Sequence, residues 1–342
     1  AARAGEGRRA AEVARVGQLY YFVDRCDINF DGAFSELAAS RPGSGDEGAV
    51  FTYFDGYVSR KFPEKALKVP PDLSLWRRRV ELLDRSATDQ FDDKARAAAA
   101  MREAGCEGAF AQTFSDVRAA LEATRGDPGA LFFRKSARAS GGRGIQVLSR
   151  EGLLAAPGAL QNGEVLQRAV EDIELIDGRK FTVRFYALVH AGELHLHQRG
   201  VVILHGARYE PGTTSYEAQV CSDALHHSEA SAASQLLVLQ DLPQAERWRA
   251  SVACRLRDIH PSLQPLLSAS SRDRYTLIGG DAIIERTGEA RLIELNFYPN
   301  LGSHNGAINT QVKQPLLRDV IAKVLLGEDP VEFQHIPSRT GE

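Results

Sequence analysis

Asp281, Glu294 and Asn296 are three side chains whose spacing suits metal chemistry. They stand in residues 279–300, GGDAIIERTGEARLIELNFYPN, where apolar runs at 282–284 and 291–295 flank Thr287 and Gly288. A two-residue turn there makes a β-hairpin. Paired positions in a hairpin sum to a constant, so Asp281 faces Glu294, and Asn296 shares that face because strand side chains alternate. Directly opposed Cβ atoms lie about 4.5–5.5 Å apart. Two carboxylates and an amide oxygen at such separations suit Mg²⁺, a hard cation that takes oxygen ligands and shares them with nucleotide phosphates. The plainer alternative is a surface hairpin with ordinary acidic residues. Against it, Glu294 and Asn296 interrupt an otherwise apolar strand of Leu292, Ile293, Leu295 and Phe297.

A second group suits phosphate. Residues 132–147, FFRKSARASGGRGIQV, read as a strand ending in Lys135, a loop with Gly141, Gly142 and Gly144, and another strand. Glycines let backbone N–H groups approach phosphate oxygens, and a lysine supplies a point charge. Glycine-rich hairpin turns also occur without any ligand, and neither a Walker A loop nor a dinucleotide fingerprint is present. In residues 177–188, DGRKFTVRFYAL, Lys180, Thr182 and Arg184 share one strand face, and Phe181, Val183 and Phe185 share the other. A half-solvated strand explains that pattern by itself. Beside a magnesium hairpin and a phosphate loop, the cations gain anionic clients.

The elements that must position these groups fall into successive blocks. Residues 1–15 form a lead-in. Residues 16–88 form a small α/β unit with strands at 19–24 and 49–57, a loop at 41–48 and a helix at 73–83. Residues 89–170 begin with a helix whose start is marked by Asp92 and Asp93 and whose end is marked by Gly105. Strands at 110–114, 131–135, 145–148 and 165–170 and a helix at 116–123 follow. Residues 171–330 carry strands at 180–190 and 193–204, a helix at 244–259, the hairpin, and a last helix at 311–326; a tail occupies 331–342. The class is α+β with largely antiparallel sheets.

At 342 residues, 43% hydrophobic and 25% charged, the chain has ordinary globular composition, enough for two or three domains. A net charge of −3 argues against general nucleic-acid binding. Cys26, Cys106, Cys221 and Cys254 show no zinc spacing, and reduced thiols are the expectation. No apolar run approaches the ~20 residues of a membrane span, and residues 1–17 lack a signal-peptide core. Cytoplasmic residence, as a monomer without a membrane or nucleic-acid partner, follows as the expectation.

The order of these motifs resembles the ATP-grasp superfamily, and within it the tubulin–tyrosine ligase-like family. The resemblance rests on Lys94 near a helix start, Lys135 before Gly141–Gly144, Gln167-Arg168-Ala169-Val170, Arg179 through Arg184, and Ile293-Glu294-Leu295-Asn296-Phe297-Tyr298-Pro299. It covers roughly residues 90–326. It implies an ATP-grasp fold in which two α/β lobes clasp ATP, with a small N-terminal α/β domain. It also implies that Lys94 and Lys135 bind ATP phosphates, that Gln167 through Val170 form the adenine hinge, and that Lys180 approaches the nucleotide. Arg184 would meet the γ-phosphate, and Asp281, Glu294 and Asn296 would ligate one or two Mg²⁺ ions. Thr182 stands where that family usually has Asp. Arg199, Arg208 and His304 are the substrate-side candidates. The tubulin enzymes' H-x-T-N-like stretch is not recognisable at 218–223, and the acidic balance differs from a surface that grips acidic tails, so tubulin is disfavoured as substrate.

The activity implied is ATP-dependent ligation of a carboxylate to an amine through an acylphosphate, with an amino acid, peptide or other small molecule as substrate. Two other functions compete. One is a kinase on the same chassis that phosphorylates a small hydroxyl substrate, as inositol-phosphate kinases do. The other is a non-catalytic ATP-binding interaction module.

Overall fold

The computed structural model describes residues 13–24, 27–43, 46–54, 72–138, 142, 144–155, 160–161, 163–220, 234–302 and 305–338. Gly141, His304, Cys26, Cys221 and the 226–227 histidine pair lie outside the described residues.

In the first block, β1 (Ala14–Val16), β2 (Leu19–Val23), α1 (Asp27–Ser40), β3 (Ala49–Tyr53) and β4 (Arg78–Leu82) build a β-α-β layer. Strands β2, β3 and β4 run parallel, so this part of the sheet departs from the antiparallel expectation. The helix expected at 73–83 is instead β4. The segment LWRRRVELL has a helix-like spacing of apolar residues, but pairing with β3 puts Val80 and Leu82 into the core, and tertiary packing overrides the local signal. Helix α1, which the sequence reading did not find, buries Phe30, Ala33, Phe34 and Leu37 on one face.

Two helices follow, α2 (Arg85–Asp92) and α3 (Lys94–Glu103). Asp93 caps α3, accepting from the backbone N–H groups of Ala95 (3.0 Å) and Arg96 (3.2 Å). Gly105, at φ +66°, ends the helix in the left-handed region. A four-stranded antiparallel sheet comes next, from β5 (Thr113–Phe114), β6 (Leu131–Ser136), β7 (Gln146–Ser149) and β8 (Glu164–Arg168), in the order β5-β8-β6-β7. The strand expected at 110–114 is reduced to two residues behind a 3₁₀ turn at Glu107–Ala109. Helices α4 (Val117–Ala123) and α5 (Arg150–Ala155) cover one face, where Phe132 and Leu166 are buried with Ala120 and Leu153. Alternation then turns Leu131 and Phe133 to the other face, together with Ala169 and Val220, and Lys135 with them.

The large sheet is completed by β9 (Arg179–His190), β10 (Glu193–His197) and β11 (Val201–Arg208), after which helix α6 (Tyr216–Gln219) precedes β12 (Gln235–Val238). Helices α7 (Ala245–Ile259) and α8 (Gln264–Ala269) lead to β13 (Arg274–Ile284) and β14 (Ala290–Phe297). A π-helical turn at Asn309–Lys313 runs into α9 (Gln314–Val324), and β15 (Phe333–His335) closes the sheet. The strand expected at 193–204 is two strands, because residues 198–200 leave β10 and redirect the chain to pair β11 with β9. The sheet order is β1-β2-β3-β4-β13-β9-β10-β15, with β14 on β13, β11 on β9 and β12 on β11. Strand β13 therefore joins the first block to the rest: it pairs in parallel with β4 and antiparallel with β9 and β14. The whole is a mixed α/β structure built on one large mixed sheet and one small antiparallel sheet. No helix among the described residues is long and apolar enough to cross a membrane.

Candidate functional site

Register across β9, β13 and β14 decides where the chemistry sits. Asp281 pairs with Arg184 on one side and with Glu294 on the other, so the three form one row on one face of the sheet. The next row holds Tyr186, Gly279 and Asn296. The expected opposition of Asp281 and Glu294 is met, but not through a two-residue turn. Ile284 pairs with Ala290, which leaves a five-residue connection, and a bulge at Ile293 restores the register one step later. Bulges re-aim side chains beside functional sites, and here one keeps both carboxylates on the same face. Gly280 is required next to them, since a Cβ there would lie 2.0 Å from the Phe185 ring.

The row is densely charged. Arg184 donates to both Asp281 oxygens, Nε at 2.6 Å and Nη2 at 2.8 Å, and both side chains are only 12% exposed. Lys94 Nζ stands 3.6 Å from Glu294 Oε2. Burial pushes the Glu294 carboxyl up, but Lys94, Lys135, Arg184 and a hydrogen bond from Asn296 outweigh it and hold the group below its ordinary value. Burial raises Asp281, with Arg184 opposing and the facing Glu294 carboxylate adding to the rise. Burial pulls the Arg184 guanidinium down, but Asp281 more than restores it, so the cation is retained. Asp92, at the end of α2, is raised chiefly by burial, against Arg85, Lys94 and the backbone N–H of Phe297.

The small sheet meets this row through Gln167 on β8. Lys135 Nζ donates to Gln167 Oε1 at 2.7 Å, while Gln167 Nε2 donates to Thr113 Oγ1 (3.2 Å) and to the carbonyl of the bulge residue Ile293 (3.1 Å). Lys94 is brought in by the α3 cap and by its own N–H, which donates to the Ala137 carbonyl just past β6 (3.0 Å). Arg168 pairs with Asp127 (2.5 Å) and Glu171 (3.1 Å), and the backbone N–H groups of Arg168 and Ala169 donate to Gln112 and Leu131. Of the glycine loop, Gly142 and Gly144 both take φ +72°, and Gly142 accepts from the Tyr216 hydroxyl at 2.8 Å.

Lys180 lies on the same β9 face as Arg184, its Nζ 4.8 Å from the centre of the Phe133 ring, with Lys135 Nζ 5.3 Å from that ring. Its Nζ donates to Gln219 Oε1 at 2.9 Å. Thr182 is bonded to His205 Nε2 (3.1 Å), whose Nδ1 faces the Ala218 carbonyl (3.3 Å). Tautomer follows: Nδ1 carries the proton and Nε2 accepts from the Thr182 hydroxyl. These partners, Gln219 and His205, escaped the sequence reading; they sit 39 and 23 residues from the groups they hold.

Burial first, then Lys180, pushes His205 down to about 3, with the Ala218 contact opposing. The unfolded chain takes up a proton near pH 6.5 that the folded protein refuses until near pH 3, so stability falls as pH drops through that window. The slope from this one residue is about 1.4 kcal/mol per pH unit. His190, His195 and His260 are shifted the same way by burial, so the comparison needed is with His205→Gln. Urea unfolding at pH 7.5 and 5.5 should show a smaller pH-dependent loss in the variant; identical losses in the two proteins would contradict the neutral, buried His205.

Directly after β14 the backbone is held from three sides. Tyr53 donates to the Pro299 carbonyl (2.8 Å), Lys313 to that of Asn300 (3.2 Å) and Asn29 to that of Leu301 (2.7 Å). Tyr298 sits at φ +58°, uncommon for a non-glycine residue, and its hydroxyl donates to the Leu83 carbonyl (2.6 Å). Lys313, 1% exposed, also donates to the Tyr186 hydroxyl.

The substrate-side candidates are placed elsewhere. Arg199 donates to both oxygens of Glu332 (2.5 Å each) and to the Gln311 carbonyl (2.9 Å). Arg208, at the end of β11, packs over Gly178. Neither forms a hydrogen bond or ion pair with Asp281 or Glu294. Among the described residues, His197, Asp319 and Glu332 form a trio with ligand atoms within 4.8 Å of one another. Its groups are already committed: Arg199 holds Glu332, Arg318 holds Asp319 (2.8 Å), and His197 Nδ1 accepts from the Arg199 N–H (3.2 Å), which leaves its proton on Nε2 facing Asp319.

Glu294 and Asn296 could offer oxygen donors to a hard divalent cation beside Lys94, Lys135 and Arg184, and Asp281 could join them only by giving up its bidentate contact with Arg184. No curated protein matches the chain. Residues 208–332, the part of the chain that contains β13 and β14, match the model of the tubulin-tyrosine ligase family, a family of the ATP-grasp superfamily.

Proposed function

We propose that the protein is an ATP-dependent carboxylate–amine ligase. The observation that carries this reading is the row Arg184–Asp281–Glu294, which lies on the large sheet while Lys135 reaches it through Gln167 from the small one. The family matched by residues 208–332 consists of ATP-dependent ligases, which supports the same reading. Residues 89–170 and 171–330 act as two lobes around ATP, with residues 16–88 at the substrate side.

Lys94 and Lys135 grip the phosphates beneath the loop containing Gly141, Gly142 and Gly144, while Gln167, Arg168, Ala169 and Val170 form the hinge at the adenine. Lys180 contacts the nucleotide, and Arg184 the γ-phosphate. Asp281, Glu294 and Asn296 would hold one or two Mg²⁺ ions, Asp281 once Arg184 has moved from it to the γ-phosphate, and the bound metal would supply neutralisation of phosphate charge. A substrate carboxylate oxygen attacks the γ-phosphorus, and the bond from that phosphorus to ADP breaks. Lys135 and Arg184 stabilise the charge that spreads over the moving phosphoryl group. The amine nitrogen then attacks the acyl carbon, the carbon–oxygen bond to phosphate breaks, and the ammonium proton passes to solvent.

Acylphosphates hydrolyse in water, so the glycine loop and the part of residues 205–240 outside β11 and β12 serve as a lid; the Tyr216–Gly142 hydrogen bond is a contact between those two segments. Arg199, Arg208 and His304 are the substrate-side candidates, and Arg199 must leave Glu332 to serve. On this reading the substrate is an amino acid, peptide or other small molecule.

Incubation with ATP, Mg²⁺, a pool of amino acids and peptides, and hydroxylamine should yield hydroxamate in step with ADP. Consumption of ATP with a phosphate ester and no hydroxamate would hand the assignment to the kinase alternative.

A further inference from the structure

Lys313 is a buried cation that stands outside the Asp281–Glu294 row. It ends the π-helical turn Asn309–Lys313 and is 1% exposed. Turns of this kind are rare and occur frequently at functional sites. Its Nζ donates to the Tyr186 hydroxyl and to the Asn300 carbonyl (3.2 Å), and lies 4.6 Å from the centre of the Tyr186 ring. Both hydrogen-bond partners are neutral, and no carboxylate among the described residues pairs with it. Lys323, by contrast, is held by Asp329 at 2.7 Å. A buried ammonium without a counter-ion lowers the stability of a fold, and departures of that kind concentrate where the charge serves a ligand.

The place of Lys313 along the sheet indicates which ligand. Lys180, Arg184 and Tyr186 share one face of β9, where two residues cover about 6.6 Å. On the ligase reading Lys180 meets the nucleotide and Arg184 the γ-phosphate, so Tyr186 is the next step away from ADP. In-line phosphoryl transfer brings the attacking oxygen in opposite the leaving group. The substrate carboxylate therefore approaches from the end where the row Tyr186–Gly279–Asn296 lies. Pro299 covers this row, since a Cβ on Gly279 would stand 2.8 Å from Pro299 Cβ and 3.7 Å from Arg184 Cδ. Lys313 is bonded both to Tyr186 in the row and to Asn300 beside its cover.

We propose that Lys313 is a positioning residue for the carboxylate substrate: it fixes residues 299–300 as the wall at which the acid docks and supplies the positive charge that the acid meets there. The inference rests on the ligase reading. Because the ammonium is buried, it acts through Tyr186, the Asn300 carbonyl and the low-dielectric interior rather than by contact. A fixed cation of this kind favours the carboxylate and the acylphosphate that replaces it.

The test uses the full chain with Mg²⁺ and ADP, with acetate as the carboxylate probe and acetamide as its neutral counterpart, both read by ligand-observed NMR titration. Acetate should bind saturably and more tightly than acetamide. Lys313→Met removes the charge, and so does Lys313→Gln, which can still donate to Tyr186 and Asn300. Each should weaken acetate by roughly fivefold or more while leaving acetamide and ADP binding unchanged. Lys313→Arg, which keeps the charge, should recover most of the loss; circular dichroism establishes that each variant is folded. Three results would overturn the proposal: unchanged acetate binding in a folded neutral variant, an equal fall for acetate and acetamide, or no saturable acetate binding by the unsubstituted protein. Hydroxamate formation by the unsubstituted protein reports on the ligase reading separately. Its presence alongside unchanged acetate binding leaves ligation standing without a part for Lys313. Its absence alongside a selective loss of acetate removes the ligase reading, and with it the role of the acid as substrate.

Discussion

Glu294→Gln should lower ATP-dependent turnover by roughly 100- to 1,000-fold, the scale on which loss of a single transition-state charge contact acts. The substitution keeps the shape of the side chain and its hydrogen bond with Asn296 while removing the anion that Lys94, Lys135 and Arg184 converge upon. Nucleotide binding through those cations should survive, because the phosphates lose a like charge as well as a shared ion. The measurement is phosphate release against ATP concentration, read together with the affinity for ATP at fixed Mg²⁺. Turnover within a factor of three of the unsubstituted protein would sink the assignment of β14 to the reacting site.

Asp281→Ala should destabilise the fold by about 3 kcal/mol, the lower part of the range for breaking a buried ion pair. Arg184 would keep its charge with no carboxylate in bidentate contact, and Glu294 nearby sets the loss at the lower end. Removing the charge from the other side as well, in Asp281→Ala with Arg184→Met, should recover part of that loss, since two apolar groups need no counter-ion. Urea unfolding of the two single variants and the double variant closes the cycle. A single variant that unfolds at the same midpoint as the parent, with the same slope, would show that the pair is solvated rather than buried.

The sequence exposed the Asp281–Glu294 row more readily than the structure around it. Glu294 and Asn296 break an apolar strand, and a polar interruption of that kind is visible without coordinates. The opposition to Asp281 was reached by counting across a turn, yet the turn is longer and the bulge at Ile293 makes up the difference. Asp92 and Asp93 made the helix start legible, and Lys94 beside them was reached through the resemblance to the ligase family. What was not legible came from long range. The register of β4 against β3 and β13 overrode a helix-like pattern, and the grip of Gln167 on Ile293 spans 126 residues. The role of Gly280 was hidden for the same reason, since nothing local reveals that the Phe185 ring lies against it.

The three side-chain grips on residues 299–301 carry a consequence for modularity. Tyr53 and Asn29 belong to the first block and Lys313 to the end of the chain, and all three hold the strip of backbone that leaves β14. Tyr275 on β13 adds a bond to the Thr52 carbonyl at 2.9 Å. The opening block is therefore no interchangeable cassette: a graft that keeps Asp281, Glu294 and Asn296 but swaps β3 or α1 also alters how the backbone departs from the carboxylates. Such a transplant has to carry Asn29 and Tyr53 along with the acidic strand.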